Sequence, residues 1–233
     1  MSTLVQCTNL TKCYPNGKAA VTEMNLTIES GHIIGLLGPN GSGKTTLIKM
    51  INGLLKPTSG TVLVEGLEPG PESKGIVSYL PERTYLEAQK TVIDIVDFFE
   101  DFYPDFRKDR ALEMIESLGI PSDARLKTLS KGNKEKIQLI LVMSRDAKLF
   151  ILDEPIAGVD PAARDYIIRT IIQNYNPEAS VLICTHLISD IENILDDVIF
   201  LKNGRIVLRA GVDDIREKVG KTVDQYFREV FAC

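Results

Sequence analysis

The chain has 233 residues, of which 44% are hydrophobic and 25% charged, and this composition is typical of a globular protein with one large domain or two small ones. Its net charge of −5 argues against a nucleic-acid partner, because a broad nucleic-acid surface needs an excess of lysine and arginine. Cys7, Cys13, Cys184 and Cys233 lack CxxC spacing, which predicts reduced thiols and excludes a simple zinc site. No basic-then-apolar leader opens the chain and no apolar run approaches the about 20 residues that span a bilayer, so we expect a cytoplasmic protein that would reach a membrane through a partner.

The first part of the chain contains two stretches in which apolar and polar residues alternate. Residues 3–14 and 21–28 show this pattern, which predicts two antiparallel strands with a turn at 14–17 between them. The apolar run 33–37 that follows predicts a buried strand.

A glycine-rich turn follows this strand and leads into a helical stretch. The turn fits the pattern GxxxxGK[ST], and the predicted site consists of Gly38, Pro39, Asn40, Gly41, Ser42, Gly43, Lys44, Thr45 and Thr46. Glycines allow backbone N–H groups to surround a polyphosphate at the positive end of a helix. In such a loop the lysine reaches the terminal phosphates and the hydroxyl after it ligates Mg²⁺. We therefore predict that this segment binds a nucleoside triphosphate.

The rest of the chain alternates between predicted strands and helices. The strands are expected at 61–65, 76–80, 149–152, 181–184, 198–201 and 205–208, with a surface loop at 66–74. Helices expected at 91–103, 109–118 and 131–144 form a helical block at about 90–146, and further helices are expected at 161–174, 187–195 and 223–231. This order predicts an α/β fold with a mostly parallel sheet covered on both faces.

The predicted strand 149–152 ends in two adjacent carboxylates, Asp153 and Glu154. A phosphate-loop enzyme needs an acid that holds Mg²⁺, which suits Asp153 at the strand end. It also needs a group that orients and deprotonates the attacking water, which suits Glu154. Strand ends commonly carry solvated acids, so this interpretation depends on the phosphate loop earlier in the chain.

Three segments together carry a family resemblance. The phosphate loop, the sequence LFILDEP at 149–155 and the sequence LSKGN at 129–133 resemble the ATP-binding subunit of ABC transporters. Gly158-Val159-Asp160 resembles the D-loop of that family, and Thr185-His186 its switch histidine. The resemblance covers essentially the whole chain and is strongest to the short bacterial exporter-type branch. It implies one ABC-type ATP-binding domain at 1–233, with a P-loop NTPase sheet, an antiparallel β subdomain and an inserted helical subdomain.

The resemblance also implies roles for individual residues in hydrolysis. Glu154 would act as the base, and His186 would hydrogen-bond the γ-phosphate and position water, although a lone histidine after an apolar strand is also common as a structural residue. Tyr14 would stack on adenine, with packing in a turn as the alternative.

Three further residues would act across a head-to-tail dimer of two such chains. Ser130 and Gly132 would contact the ATP of the opposite subunit, and Asp160 would couple the two sites. Without the resemblance, Ser130 is simply a helix N-cap.

Two positions depart from the family pattern. The usual signature LSGGQ has Lys131 and Asn133 at its third and fifth positions here. Glu82 stands where the family usually has a glutamine that ligates Mg²⁺; a carboxylate can ligate the metal but cannot donate a hydrogen bond, and Gln89 lies too far along to replace it. The expected metal ligands are therefore Thr45, Asp153 and Glu82, with ATP and Mg²⁺ as the cofactors.

Five aromatic residues lie between positions 98 and 106. Their simplest interpretation is the core of the helical block. The alternative is a groove that receives a short cytoplasmic helix of a membrane subunit.

The preferred hypothesis for function is an ATPase that powers an exporter on the inner face of the cell membrane. It would act as a homo- or heterodimer beside separately encoded permease chains, whose substrate the sequence does not specify. A soluble ATP switch that acts on ribosomes, DNA or cluster assembly is the alternative. A regulator with little ATP turnover is a third possibility, suggested by Glu82 and Asn133.

Overall fold

The computed structural model describes residues 2–15, 17–158, 160–174 and 176–232. Asn16 of the predicted turn, Val159 of the predicted D-loop and Cys233 lie outside the described residues.

The order of strands and helices along the chain follows the predicted alternation. The strands are β1 (Thr3–Cys13), β2 (Ala19–Glu29), β3 (Ile33–Leu37), β4 (Ser59–Val64), β5 (Val77–Leu80), β6 (Leu149–Asp153), β7 (Ser180–Cys184), β8 (Asp197–Lys202) and β9 (Arg205–Gly211). The helices are α1 (Lys44–Ile51), α2 (Pro71–Lys74), α3 (Val92–Phe102), α4 (Lys108–Ser117), α5 (Lys131–Met143), α6 (Pro161–Asn174), α7 (Ile188–Ile191), α8 (Val212–Asp214) and α9 (Val223–Phe231). A 3₁₀ turn, Leu126–Thr128, precedes α5, and a π-helical turn, Ile215–Val219, follows α8.

These strands form two sheets in the described part of the chain. β2, β1 and β4 make an antiparallel three-stranded sheet in that order. The other sheet has six strands in the order β5-β6-β7-β3-β8-β9, and its strands run parallel except for β9. Every residue of β3, β6 and β7 is buried, as expected for central strands covered on both faces. The predicted α/β class with a mostly parallel sheet and a separate antiparallel sheet is confirmed.

Successive residues of the central strands contribute to two different apolar layers. On β6, Leu149 and Ile151 pack with α1 and the antiparallel sheet, whereas Phe150 and Leu152 pack with α5, α6 and α7. This division follows from the twofold side-chain period of a strand.

The terminal helix α9 lies on the second of these layers. The ring of Phe227 is 5.3 Å from that of Phe200 on β8, and the ring of Phe231 is 5.8 Å from it. α9 therefore covers this face of the sheet.

α3, α4 and α5 share a third apolar cluster, away from both sheets. Val92, Val96 and Phe99 of α3 pack there with Ala111 of α4 and Ile137 of α5. α3 begins at a capping box in which Thr91 and Asp94 each accept a hydrogen bond from the other's backbone N–H.

Two local predictions were wrong. The segment expected to be a loop at 66–74 contains α2, because Pro71 suits the first turn of a helix and the Ser73 hydroxyl accepts from the N–H of Gly70. The helix expected at 187–195 is limited to α7. The chain turns after it, and the Asp196 carboxylate accepts a hydrogen bond from the N–H of Ile33.

Candidate nucleotide-binding site

The glycine-rich loop lies between the end of β3 and the start of α1, as predicted. Gly43 has φ +110°, and a Cβ atom there would lie 2.2 Å from the carbonyl oxygen of Ala20. A Cβ atom on Gly38 would lie 2.3 Å from the carbonyl oxygen of Leu201. Both positions therefore require glycine because of close backbone approach.

Two buried polar groups in this loop are suited to an anion. The Lys44 side chain is only 7% exposed, and its ammonium donates to the carbonyl oxygens of Gly38 at 2.6 Å and Pro39 at 3.3 Å. The Ser42 hydroxyl is buried without a hydrogen-bond partner among the described residues. A buried cation and an unsatisfied hydroxyl at the start of a helix are what a phosphate cradle provides.

Asp153 lies at the end of β6 and is 2% exposed. Burial raises the pKa of its carboxyl, and the carboxylates of Glu154 and Glu82 raise the pKa further, while a hydrogen bond with Cys184 and the charge of Lys44 oppose the shift. Burial also raises the pKa of the Cys184 thiol, so the thiol is a neutral donor toward Asp153.

Glu154 has the left-handed backbone conformation that glutamate rarely adopts. Its φ is +56°, and its N–H donates to the carbonyl oxygen of Cys184 at 2.7 Å. Such strained backbone is concentrated at functional sites, where the surrounding structure maintains it.

His186 follows β7 and contacts Glu154 directly. The Nδ1 atom of His186 is 2.9 Å from the Oε2 atom of Glu154. The histidine is 59% exposed at its side chain and the glutamate 16%, so the pair stands at the surface of the site. The sequence predicted a role for each residue separately, and the structure joins them.

One cavity of about 270 Å³ brings together most of the residues that the sequence predicted. Tyr14, Thr45, Glu82, Asp153 and Glu154 line it together with residues 40–44 of the loop. The Tyr14 hydroxyl is 3.3 Å from the Thr46 hydroxyl, and its ring is 37% exposed. The structure therefore places an exposed aromatic side chain beside the phosphate loop, consistent with stacking on a base.

The donor set in this cavity suits Mg²⁺. Thr45, Asp153 and Glu82 offer hard oxygen atoms, the ligands that Mg²⁺ prefers. In the described ranges, no group of three or more His, Cys, Asp or Glu side chains is arranged to hold a metal by itself.

Ser130, Gly132 and Asp160 are not part of this cavity. The Ser130 hydroxyl accepts from the N–H of Asn133, so Ser130 is the N-cap of α5. The Asp160 carboxylate accepts from the N–H of Ala163 in the first turn of α6. Ser130 and Asp160 are exposed, and a Cβ atom on Gly132 would meet no atom within 4 Å.

Sequence reasoning missed Cys184 and Gln138. Cys184 is the last residue of β7 and lies opposite Asp153 in the strand register. Gln138 of α5 lines a neighbouring cavity of about 510 Å³ together with Glu82, Asp153 and Glu154. The sequence shows that Cys184 ends a buried strand, but it does not show that this strand lies next to the one that ends at Asp153.

The fold and this site define a P-loop nucleoside triphosphatase. A sequence profile described as ABC transporter matches residues 21–157, more than half of the chain. The chain belongs to the ABC transporter family, of which it is an ATP-binding, ATP-hydrolysing subunit.

Similar proteins are ATP-binding subunits as well. The chain is 31% identical to the SkfA peptide export ATP-binding protein SkfE of Bacillus subtilis, over 92% of both proteins. It is 31% identical to the ABC transporter ATP-binding protein YtrB of the same organism, over 87% of this chain and 70% of YtrB. A solved ATP-binding subunit of an ABC transporter superposes with a TM-score of 0.87 at 26% identity, covering 97% of this chain and 99% of that one.

None of the helices in the described ranges is long and apolar enough to cross a membrane.

Proposed function

We propose that this chain hydrolyses MgATP to power an exporter whose membrane-spanning chains are separate proteins. The Glu154–His186 pair beside the phosphate loop is the observation that carries this proposal, because it joins a proton acceptor to a nucleotide site. The name of SkfE, a peptide export protein that matches over 92% of both chains, supports the export direction. The family membership favours transport over a soluble ATP switch.

The described groups suggest how the site binds ATP. The phosphates take the place of the Gly38 and Pro39 carbonyls as partners of Lys44, and the loop N–H groups complete the cradle. Thr45, Asp153 and Glu82 would hold Mg²⁺, which would neutralise phosphate charge.

Glu154 accepts the proton of the attacking water, and His186 holds the Glu154 carboxylate in place. The neutral Cys184 thiol donates to Asp153 and so orients that carboxylate. Tyr14 stacks on the adenine base at the exposed end of the cavity.

ATP then closes two chains head to tail. The exposed N-terminus of α5, with Ser130 and Gly132, approaches the ATP of the opposite chain, where hydroxyl and N–H groups at a positive helix end stabilise phosphate charge. Asp160, which is also exposed, couples the two sites. The chain acts as one ATP-binding domain over 1–233, with a helical subdomain at about 90–146 that moves relative to the sheets.

A groove on the helical subdomain is suited to the membrane partner. It has a volume of about 560 Å³, and Tyr85 and Phe98 line it with side chains that are 50% and 57% exposed. One basic residue, Lys90, lines it together with four acidic residues, Glu87, Asp94, Asp97 and Asp101. Its border is therefore negative overall, although Asp97 pairs with Lys108. A short helix of a membrane subunit, with an apolar face and basic flanks, complements both features. With such a partner the chain acts at the inner face of the cell membrane.

The decisive test measures the molar mass of the Glu154→Gln variant in Mg²⁺-free ATP by light scattering after size exclusion. Phosphate release with Mg²⁺ present is measured in parallel. Glutamine keeps the shape of the site but cannot accept the proton, so we expect a shift from monomer to dimer and loss of Mg²⁺-dependent hydrolysis. Glu178→Gln, on an exposed loop, is the control and should hydrolyse ATP like the wild type. A monomer that persists at saturating ATP would contradict closure between two copies of this chain. A dimer with a different ATP-binding chain would then be the remaining hypothesis.

A further inference from the structure

α5 carries a buried amide close to the proposed metal site. Gln138 is 3% exposed, and its neighbours in the chain, Ile137 and Leu139, belong to apolar clusters. A buried amide is costly unless it finds hydrogen-bond partners. Its Nε2 atom donates to the carbonyl oxygen of Pro81 at 3.4 Å.

This hydrogen bond reaches the residue directly before Glu82. Pro81 follows β5, so the Gln138 amide holds the backbone at the point where the chain leaves the sheet. Gln138, Glu82, Asp153 and Glu154 line one cavity. The contact therefore joins the helix that begins at Ser130 to the segment that carries a proposed metal ligand.

The hydrogen bond from Gln138 to Pro81 matters because of the side chains at positions 81 and 82. The Glu82 carboxylate is an acceptor only, and Pro81 has no N–H, so neither residue can donate a hydrogen bond through its side chain or ring. Glu82 is exposed. The hydrogen bond to the Pro81 carbonyl fixes the backbone directly before it.

We propose that Gln138 is a positioning residue for Glu82: its amide anchors the Pro81 carbonyl and so holds the Glu82 carboxylate where it ligates Mg²⁺. This inference rests on the proposed role of Glu82 as a metal ligand. Outer partners of metal ligands typically change metal affinity by about 10- to 100-fold when they are removed.

The test compares Gln138→Met, Glu82→Ala and the double variant. Methionine keeps the length and helix propensity of glutamine but removes the donor. Binding of a fluorescent ATP analogue is titrated with Mg²⁺, and again in EDTA. We expect Gln138→Met to weaken the apparent Mg²⁺ affinity about tenfold and to leave binding in EDTA unchanged.

The double variant separates positioning from general stability. If Gln138 acts through Glu82, the double variant binds Mg²⁺ no more weakly than Glu82→Ala alone. Gln173→Met, which makes the same replacement at an exposed glutamine on α6, is the matched control and should bind Mg²⁺ like the wild type. Should Gln138→Met fail to fold, Gln138→Asn, whose amide is one methylene shorter, gives the same comparison.

The outcomes distinguish the two proposals. A Glu82→Ala protein with unchanged Mg²⁺ dependence would overturn the ligand role and the inference with it. Weakened Mg²⁺ binding in Glu82→Ala combined with unchanged affinity in Gln138→Met, or with additive losses in the double variant, would overturn the positioning role alone.

Discussion

At the scale of single residues, Glu154 and Asp153, which we propose to be functional, have conformations or surroundings that destabilise the folded protein. Glu154 is held in a left-handed backbone conformation, and Asp153 is a buried carboxyl close to two other carboxylates. Groups of this kind persist because the surrounding fold maintains them, and they are common where ligands or protons are handled. The same features should limit the stability of the nucleotide-free protein.

Asp153→Asn should make the nucleotide-free protein more stable at neutral pH. The pKa of Asp153 is raised in the folded state, so its contribution to the free energy of unfolding is fully present below the unfolded value near 3.8 and is lost as the pH rises through the folded value. Asparagine keeps the shape without the charge. Thermal unfolding in EDTA between pH 4 and 8 should show a higher melting temperature for the variant at pH 7 and a weaker decline with pH. A lower melting temperature across that range would contradict the prediction.

At the scale of secondary structure elements, a buried arginine connects the helical cluster to the six-stranded sheet. Arg145 follows α5 and is 3% exposed, and its guanidinium donates to Asp105 at 3.0 Å and to the carbonyl oxygen of Val77 at 2.8 Å. Its guanidinium carbon also lies 3.9 Å from the centre of the Tyr103 ring. The arginine thus joins the end of α5, the segment after α3 and the start of β5.

Arg145→Met should destabilise the protein by about 3 kcal/mol, because removing one partner of a buried ion pair leaves the other charge and several carbonyls unpaired. Urea unfolding followed by circular dichroism measures this loss. Arg107→Met, which removes an exposed arginine paired with Asp146, should cost less than about 1 kcal/mol. Equal losses in the two variants would show that the buried contacts add nothing beyond the surface pair.

Much of this architecture could be predicted from the sequence, and the two failures have different physical causes. β3, the glycine-rich loop and α1 were predicted because a buried strand, close backbone approach and a helix each leave a local pattern. α2 was missed because its four residues are too few for a helical period. α7 was predicted too long because the turn that follows it depends on contacts with β3.

At the scale of the whole molecule, ATP bound at the phosphate loop should raise the free energy of unfolding. A ligand present at about 100 times its Kd, and bound only by the folded state, raises the free energy of unfolding by about 2.7 kcal/mol. We expect this stabilisation with ATP in the wild-type protein. The Lys44→Ala variant should lose most of this stabilisation at the same ATP concentration, because it lacks the buried ammonium that would contact the phosphates.

Lys49→Ala is the control for that experiment, since Lys49 is an exposed lysine on the same helix, α1. Thermal unfolding with and without ATP gives the comparison. Equal stabilisation of both variants would place the phosphates away from the loop.

The sequence by itself determined the class of the protein, because the phosphate loop, the strand-end acids Asp153 and Glu154, and the helix start at Ser130 are local patterns. Only the tertiary structure decided which side chains meet. Glu154 contacts His186 across 32 positions in the chain, and Gln138 reaches Pro81 across 57. Such contacts depend on the order of strands in the sheet and on how α5 packs against it, and neither leaves a periodic pattern in the sequence.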